Sequence, residues 1–340
     1  MGKTILGIDI GYDNLKLALV KDGRVKKSAT VPMPRSLLRE GRVVSPESMG
    51  ELLRNTMKEN GLRCNRAALI LSNEAVFTRN VTMPLMSIEQ LKYNLPFEFR
   101  DYITDELKNY VFDYAMITTV DELREQVREK GDQGVGLSME LMAVAVPVAV
   151  MEESREFLRK AGMKLVKAAP TISCYQSLIR RRMAQDGPHA EYCILDLGYQ
   201  AIRMYMFRGD RHIVTRELET GLRSLISAIA EAASVDEHLA HAYLLENYQD
   251  WQNNAVCRNV YDNIAVELMR AMNFYRFSNP DSQINDLYLT GGGAMIEPLR
   301  KSIADTVGLL VHAPEELVPN GAQVDACHSL VQAIGVTLEG

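Results

Sequence analysis

At 340 residues the chain is longer than one average domain and suits two lobes, each able to bury its own core. Its 47% hydrophobic and 24% charged content is ordinary for a soluble globular protein, and a net charge of −6 disfavours nonspecific binding to nucleic acid or anionic membrane. No run of about 18 apolar residues is present to span a bilayer, and the opening residues lack the basic, apolar and small-residue order of an export signal. Five dispersed cysteines (Cys64, Cys174, Cys193, Cys257, Cys327) show no CxxC spacing, so reduced structural thiols in a cytoplasmic protein are expected.

Residues 1–35 read as strands joined by the turn Lys21-Asp22-Gly23, a strong hairpin signal. Ser45-Pro46-Glu47 starts a helix over 46–60 with Met49, Leu52, Leu53 and Met57 on one face. Strands follow over Ala67 to Ser72 and Val76 to Met83, which completes a βββαβ-like lobe. Ser87-Ile88-Glu89-Gln90 is a capping box that opens a helix ending before Pro96. Phe97 to Tyr102 then interleaves aromatics with charges, and Val111 to Ile117 alternates as a strand. Residues 121–139, charged and glycine-containing, read as a mobile loop. Met139 to Val148 is a nearly continuous apolar strand, and Glu152 to Ala161 a helix closed by Gly162. The block 84–165 is thus expected to be a small inserted αβ subdomain. Beyond it, 173–185 and almost all of 222–278 have helical patterns. Ile284 to Thr290 and Leu309 to Val311 read as strands, and Pro298 to Val307 and Cys327 to Leu338 as helices.

The main signal is a repeat. Ile5-Leu6-Gly7-Ile8-Asp9-Ile10-Gly11-Tyr12 with its return strand Leu15 to Val20 recurs as Ile194-Leu195-Asp196-Leu197-Gly198-Tyr199 with Ile202 to Phe207. One constant offset maps Asp9 onto Asp196, Gly11 onto Gly198 and Tyr12 onto Tyr199. Asp-x-Gly after a buried strand puts a carboxylate at the strand end and a glycine where the backbone turns sharply. The freed amides can face phosphate oxygens, and the two aspartates can hold a magnesium ion through water. Lys16 can reach a phosphate as a point charge. Leu289-Thr290-Gly291-Gly292-Gly293-Ala294-Met295 ends a strand before a helix and permits close backbone approach to a flat ligand. His238-Leu239-Ala240-His241 puts two imidazoles one turn apart, but no acid or thiol stands at ligand spacing, so no metal is expected there.

The order of these three loops resembles the superfamily of actin, DnaK-type chaperones and sugar kinases. The likeness sharpens to the PilM family of type IV pilus assembly proteins, relatives of the division protein FtsA. It is carried by Gly7-Ile8-Asp9-Ile10-Gly11 with Lys16, Met83-Pro84-Leu85-Met86-Ser87 with Asp113-Tyr114, Glu267-Leu268-Met269-Arg270 with Phe274-Tyr275, and Ala333-Ile334-Gly335-Val336. The resemblance implies an α/β fold of two actin-like, ribonuclease H-like lobes around a nucleotide cleft, with a small SHS2-like insert in the first lobe. The expected division is 1–83 plus 325–340, the insert 84–165, 166–221 plus 284–324, and a helical subdomain 222–283. It further implies an adaptor of the pilus machine, peripheral to the inner face of the cytoplasmic membrane. ATP with Mg would lie against Asp9, Gly11, Tyr12, Asp13, Asn14, Lys16, Asp196, Gly198, Tyr199, Gln200, Gly291, Gly292, Gly293 and Met295. A groove of the first lobe and insert would bind the cytoplasmic tail of a PilN-like membrane protein, with Phe97, Phe99 and Tyr102 as aromatic anchors.

This chain departs from the resemblance where the nucleotide would be held. Tyr12, Asp13 and Asn14 follow the first Asp-x-Gly in place of Ser or Thr, and Tyr199-Gln200-Ala201 offers no aliphatic hydroxyl. Leu239 and Ala242 stand where relatives carry the Glu and Lys that hold the ribose. Each lost hydrogen bond is typically worth about 0.5–1.5 kcal/mol, so ATP binding is expected to be weak or absent. Two other functions fit the same fold. A small-molecule kinase needs a catalytic base beside the γ-phosphate, and none stands out in the first lobe. A division protein of the FtsA kind needs a basic amphipathic C-terminal helix, and Gly335 to Gly340 carries no Lys or Arg.

Overall fold

The structure, a computed structural model, describes residues 3–130, 136–187, 190–218 and 220–338. Two five-stranded sheets repeat one topology. In the first, β1 (Thr4–Ile10), β2 (Asn14–Lys21) and β3 (Arg24–Pro32) form an antiparallel meander, and β6 (Arg66–Leu71) and β10 (Lys164–Pro170) extend it in parallel, giving the order β10-β6-β1-β2-β3. A two-residue ribbon, β4 (Leu38–Arg39) with β5 (Arg42–Val43), and α1 (Pro46–Glu59) lie between β3 and β6. Ser45 caps α1 by accepting from the Ser48 amide at 3.2 Å. The strands are apolar on both faces because both are covered. Leu15 and Leu17 of β2 face α1, while Ala18 and Val20 face the other lobe.

The insert has its own sheet and core. Strands β7 (Phe77–Pro84), β8 (Tyr110–Met116) and β9 (Ser138–Pro147) pair antiparallel in the order β7-β9-β8. α2 (Ile88–Asn94) starts on the expected capping box and continues as a 3-10 turn through Pro96. The sheet order moves the insert's limits. β7 pairs with β9 and so belongs to the insert, whereas α4 (Val148–Lys160) packs on α1, and β10 rejoins the first sheet beside β6. The expected loop over 121–139 also differs. α3 occupies Val120–Lys130, and residues 131–135 lie outside the described ones. Its start is a second capping box. The Glu122 amide donates to Thr119 Oγ1 at 3.2 Å, and the Thr119 amide to Glu122 Oε2 at 2.6 Å.

After α5 (Thr171–Asp186), β11 (Glu191–Leu197), β12 (Ile202–Arg208) and β13 (Arg211–Leu218) repeat the meander, and β14 (Asp286–Thr290) and β15 (Leu310–His312) repeat the parallel extension. The helical block α6 (Leu222–Ala233), α7 (Glu237–Leu245) and α8 (Ala255–Ser278) covers one face of this sheet, with α9 (Glu297–Val307) beside it. α10 (Cys327–Gly335) closes the chain against β1, β2 and α5. No helix among the described residues is long and apolar enough to cross a membrane.

The two lobes share a core built on α5 and α10. Tyr175, Leu178 and Ile179 of α5 and Leu330, Val331 and Ile334 of α10 pack against Ala18 and Val20 on one side and Tyr192, Tyr205 and Tyr288 on the other. The helices come so close that a Cβ on Gly7 would lie 1.7 Å from the Ala333 carbonyl oxygen, and one on Gly335 would lie 2.6 Å from that of Cys174. The insert also meets the second lobe. The Asn80 side chain donates to the His212 carbonyl at 3.2 Å, and Arg211 pairs with Glu140.

Two predictions follow from these contacts. Gly7→Ala drives a methyl group into a main-chain carbonyl that cannot rotate away, so the melting transition should fall by the equivalent of about 3 kcal/mol or more. Gly292→Ala meets nothing nearer than 3.4 Å and should stay within about 0.5 kcal/mol of wild type. Equal thermal shifts for the two would refute the close-packed hinge. Burial pulls the His212 imidazole from 6.5 down to about 4. The unfolded chain therefore binds the extra proton between those values, and His212 destabilises the fold progressively as pH drops through that window. Urea unfolding of wild type should lose about 2–3 kcal/mol more than His212→Gln between neutral pH and pH about 4. Parallel pH profiles would count against it.

Candidate nucleotide cleft

The two Asp-x-Gly hairpins face each other across one cleft. The strand register puts Asp9 opposite Lys16 in the first hairpin and Asp196 opposite Arg203 in the second. The Lys16 ammonium lies 3.0 Å from Asp9 Oδ2. Burial disfavours this cation, yet the carboxylates of Asp9 and then Asp196 hold its pKa above the usual lysine value. Burial pushes Asp196 upward and Lys16 opposes that. Gln332 of α10 donates to Asp196 Oδ2 at 2.7 Å and to the Tyr175 hydroxyl at 3.1 Å, and Tyr175 bonds Thr290 Oγ1 at 3.1 Å. The hinge helices are thereby tied to the second hairpin and to the strand before the glycine loop.

That glycine loop closes against the same carboxylate. Gly291 has φ +86°, and a Cβ there would lie 2.6 Å from Asp196 Oδ1. A side-chain-free residue is therefore needed at this position. Gly292 borders the cavity, Gly293 is buried against Leu197 and Leu222, and Met295 is 64% exposed outside the cavity wall.

The mouth of the cleft is bridged from lobe to lobe. Arg35, in the turn after β3, donates to the Tyr199 hydroxyl at 2.9 Å and pairs with Glu237 Oε2 at 3.0 Å. His241, one turn along α7 from Glu237, places Nε2 at 3.5 Å from Asp13 Oδ2. Tyr12 is turned onto its own lobe, donating to Glu74 and accepting from the Gly41 amide at 2.7 Å. Burial, then Glu74, pushes its hydroxyl up to about 12.

Of the expected residues, Asp9, Gly11, Tyr12, Asp13, Asn14, Lys16, Asp196, Gly198, Tyr199, Gln200, Gly291 and Gly292 do line one cavity, of about 150 Å³. In the insert, Phe97 and Tyr102 are exposed under Arg100 and Arg79, whereas Phe99 is fully buried in the insert's core and offers nothing at the surface. Sequence reading missed Arg203, although the offset that maps Asp9 onto Asp196 also maps Lys16 onto it. It also missed Arg35, Glu237, His241 and Gln332. Glu237 and His241 carried a signal, their one-turn spacing on a predicted helix, while Arg35 and Gln332 carried none.

These groups do not fit ATP and Mg as they stand. Asp9 is paired, Asp196 is hydrogen-bonded, and the Gly11 amide donates to the Asn14 carbonyl at 3.0 Å. The first amides of α6, on Leu222 and Arg223, donate to the carbonyls of Gly198 and Tyr199 at 3.0 Å each. Three of the amides beside the phosphate loops are thus used internally. The cavity is also smaller than the roughly 300 Å³ at which ligand pockets begin.

Comparison with known proteins agrees with the architecture. A solved structure described as the PilM-PilN type IV pilus biogenesis complex is similar over 98% of this chain and 97% of its own, with a TM-score of 0.82 and 24% identity. The ethanolamine utilization protein EutJ from Carboxydothermus hydrogenoformans is similar over 99% of this chain and 90% of its own, with a TM-score of 0.61 and 13% identity. A Bacteroides thetaiotaomicron protein with an actin-like ATPase fold is similar over 99% and 96%, with a TM-score of 0.50 and 9% identity. At these identities the likenesses establish the fold, two actin-like lobes. The family profile described as type IV pilus assembly protein PilM matches residues 7–316, and the chain belongs to that family.

Proposed function

We propose that this chain is a cytoplasmic scaffold of a type IV pilus machine and binds the cytoplasmic tail of a PilN-like membrane protein on its insert and first lobe. The observation that carries the reading is the outer edge of β8. Among the described residues β8 has a single partner strand, β9, and no proline or lysine blunts it. Such an edge can add an extended peptide through main-chain hydrogen bonds. Its outward face shows Val111, 46% exposed, and Asp113, while Tyr110 meets Phe77 at the junction with the first lobe. Membership of the pilus assembly family and the likeness to a structure containing PilN support the same partner. The exposed Phe97 and Tyr102 are proposed as further anchors. Attachment to the membrane comes through the partner.

The kinase alternative gains no support from the cleft. Each carboxylate there is already engaged, Asp9 by Lys16, Asp196 by Gln332, Asp13 by Asn14 and Glu74 by Tyr12. Fluorescence polarisation with a synthetic tail of the co-encoded PilN-like protein tests the docking. Val111→Asp and Phe97→Ala should each weaken binding by about tenfold, or about 1.4 kcal/mol. Phe277→Ala, at a residue 85% exposed on the helical block, should not. Failure of every such tail to bind, or equal affinities for all three variants, would defeat the reading.

A further inference from the structure

We propose that the cleft of this chain works as a built-in latch that holds the lobes closed without nucleotide. The inference goes beyond tail docking and rests on different residues. Two sets of contacts, one behind the other, carry it.

At the back, the Lys16 ammonium pairs with Asp9 of its own lobe at 3.0 Å, in the cavity that Asp196 of the other lobe also lines. It touches Asp9 directly and is attracted by Asp196 of the other lobe. Gln332 fixes the second carboxylate from the hinge side. A positive charge inside the cleft is therefore supplied by the chain itself.

At the front, the Arg35 guanidinium reaches from the first lobe to two acceptors of the second. Its planar fork suits this, because its two terminal nitrogens serve Tyr199 and Glu237 separately. Asp13 and His241 stand beside this bridge. Tyr199 opens the stretch after the second Asp-x-Gly in which the resemblance leads one to expect an aliphatic hydroxyl, and its phenol meets Arg35 across the gap. Glu237 lies in the first turn of α7, on the helix that would face a ribose. The substitutions that weaken a nucleotide site are thus, in part, the ones that build the bridge. Exposed ion pairs are individually weak, but one opening movement must break all of these contacts together.

The test compares wild type, Arg35→Ala/Glu237→Ala, and Asp13→Ala/His241→Ala. Hydrogen exchange at residues 10–14 and 198–201 and small-angle scattering are read with and without Mg·ATP. The second variant keeps the test decisive if the first misfolds. Wild type should show the same exchange and radius of gyration with and without Mg·ATP. The variants should exchange about fivefold faster at both turns, and their radius should increase. Nucleotide-dependent protection or compaction of wild type would overturn the latch, as would variants with unchanged exchange. Loss of tail binding with the latch results intact would count against the docking reading alone.

Discussion

Everything in this molecule hangs on the close packing of α5 and α10 between two sheets. Gly7 and Gly335 exist at those contacts because no side chain fits there. Such packing is stiff, since interiors at crystal-like density transmit displacement instead of absorbing it. The same helices carry Tyr175 and Gln332, which hydrogen-bond Thr290 and Asp196. The apolar hinge and the polar floor of the cleft are therefore one unit. Relative movement of the lobes must disturb both.

That arrangement gives meaning to the charges above it. A buried lysine and two buried aspartates are costly unless each compensates another. Lys16 and Asp9 belong to the first lobe and Asp196 to the second, so the attraction that acts across the cleft is the one between Lys16 and Asp196, against the repulsion from Asp9. The mouth contacts add a second closure farther out, at larger lever arm from the hinge. Between them the room left is small. The fold is that of actin-like ATPases, and the proposed latch uses the charges that line its cleft. The insert's β8 edge contributes no residue to the cleft, so the docking site proposed there is separate from it.

Much of this was legible in the residues. The duplicated Asp-x-Gly hairpin implied both lobes, and the two hairpins do share one strand register, which also sets Arg203 opposite Asp196 as Lys16 stands opposite Asp9. The Ser87 capping box starts a helix as expected. The equivalent Thr119-x-x-Glu122 box was hidden in a charged segment, since α3 buries little and so shows a thin apolar stripe. The insert's limits were harder, because β7 reads as a strand from its own residues while its pairing with β9 is non-local. Aromatic spacing could not separate Phe99, which is core, from Phe97, which is surface. Arg35 has no local mark at all. Its partners lie far along the chain, and only the closed fold brings them together.

In the proposed latch, charges on opposite lobes hold the cleft closed. The most direct measurement is a double-mutant cycle on Lys16→Met and Asp196→Asn, read as urea unfolding free energies. A closed latch should give a coupling energy of about 1 kcal/mol or more between the two sites. Additivity within about 0.3 kcal/mol would contradict it.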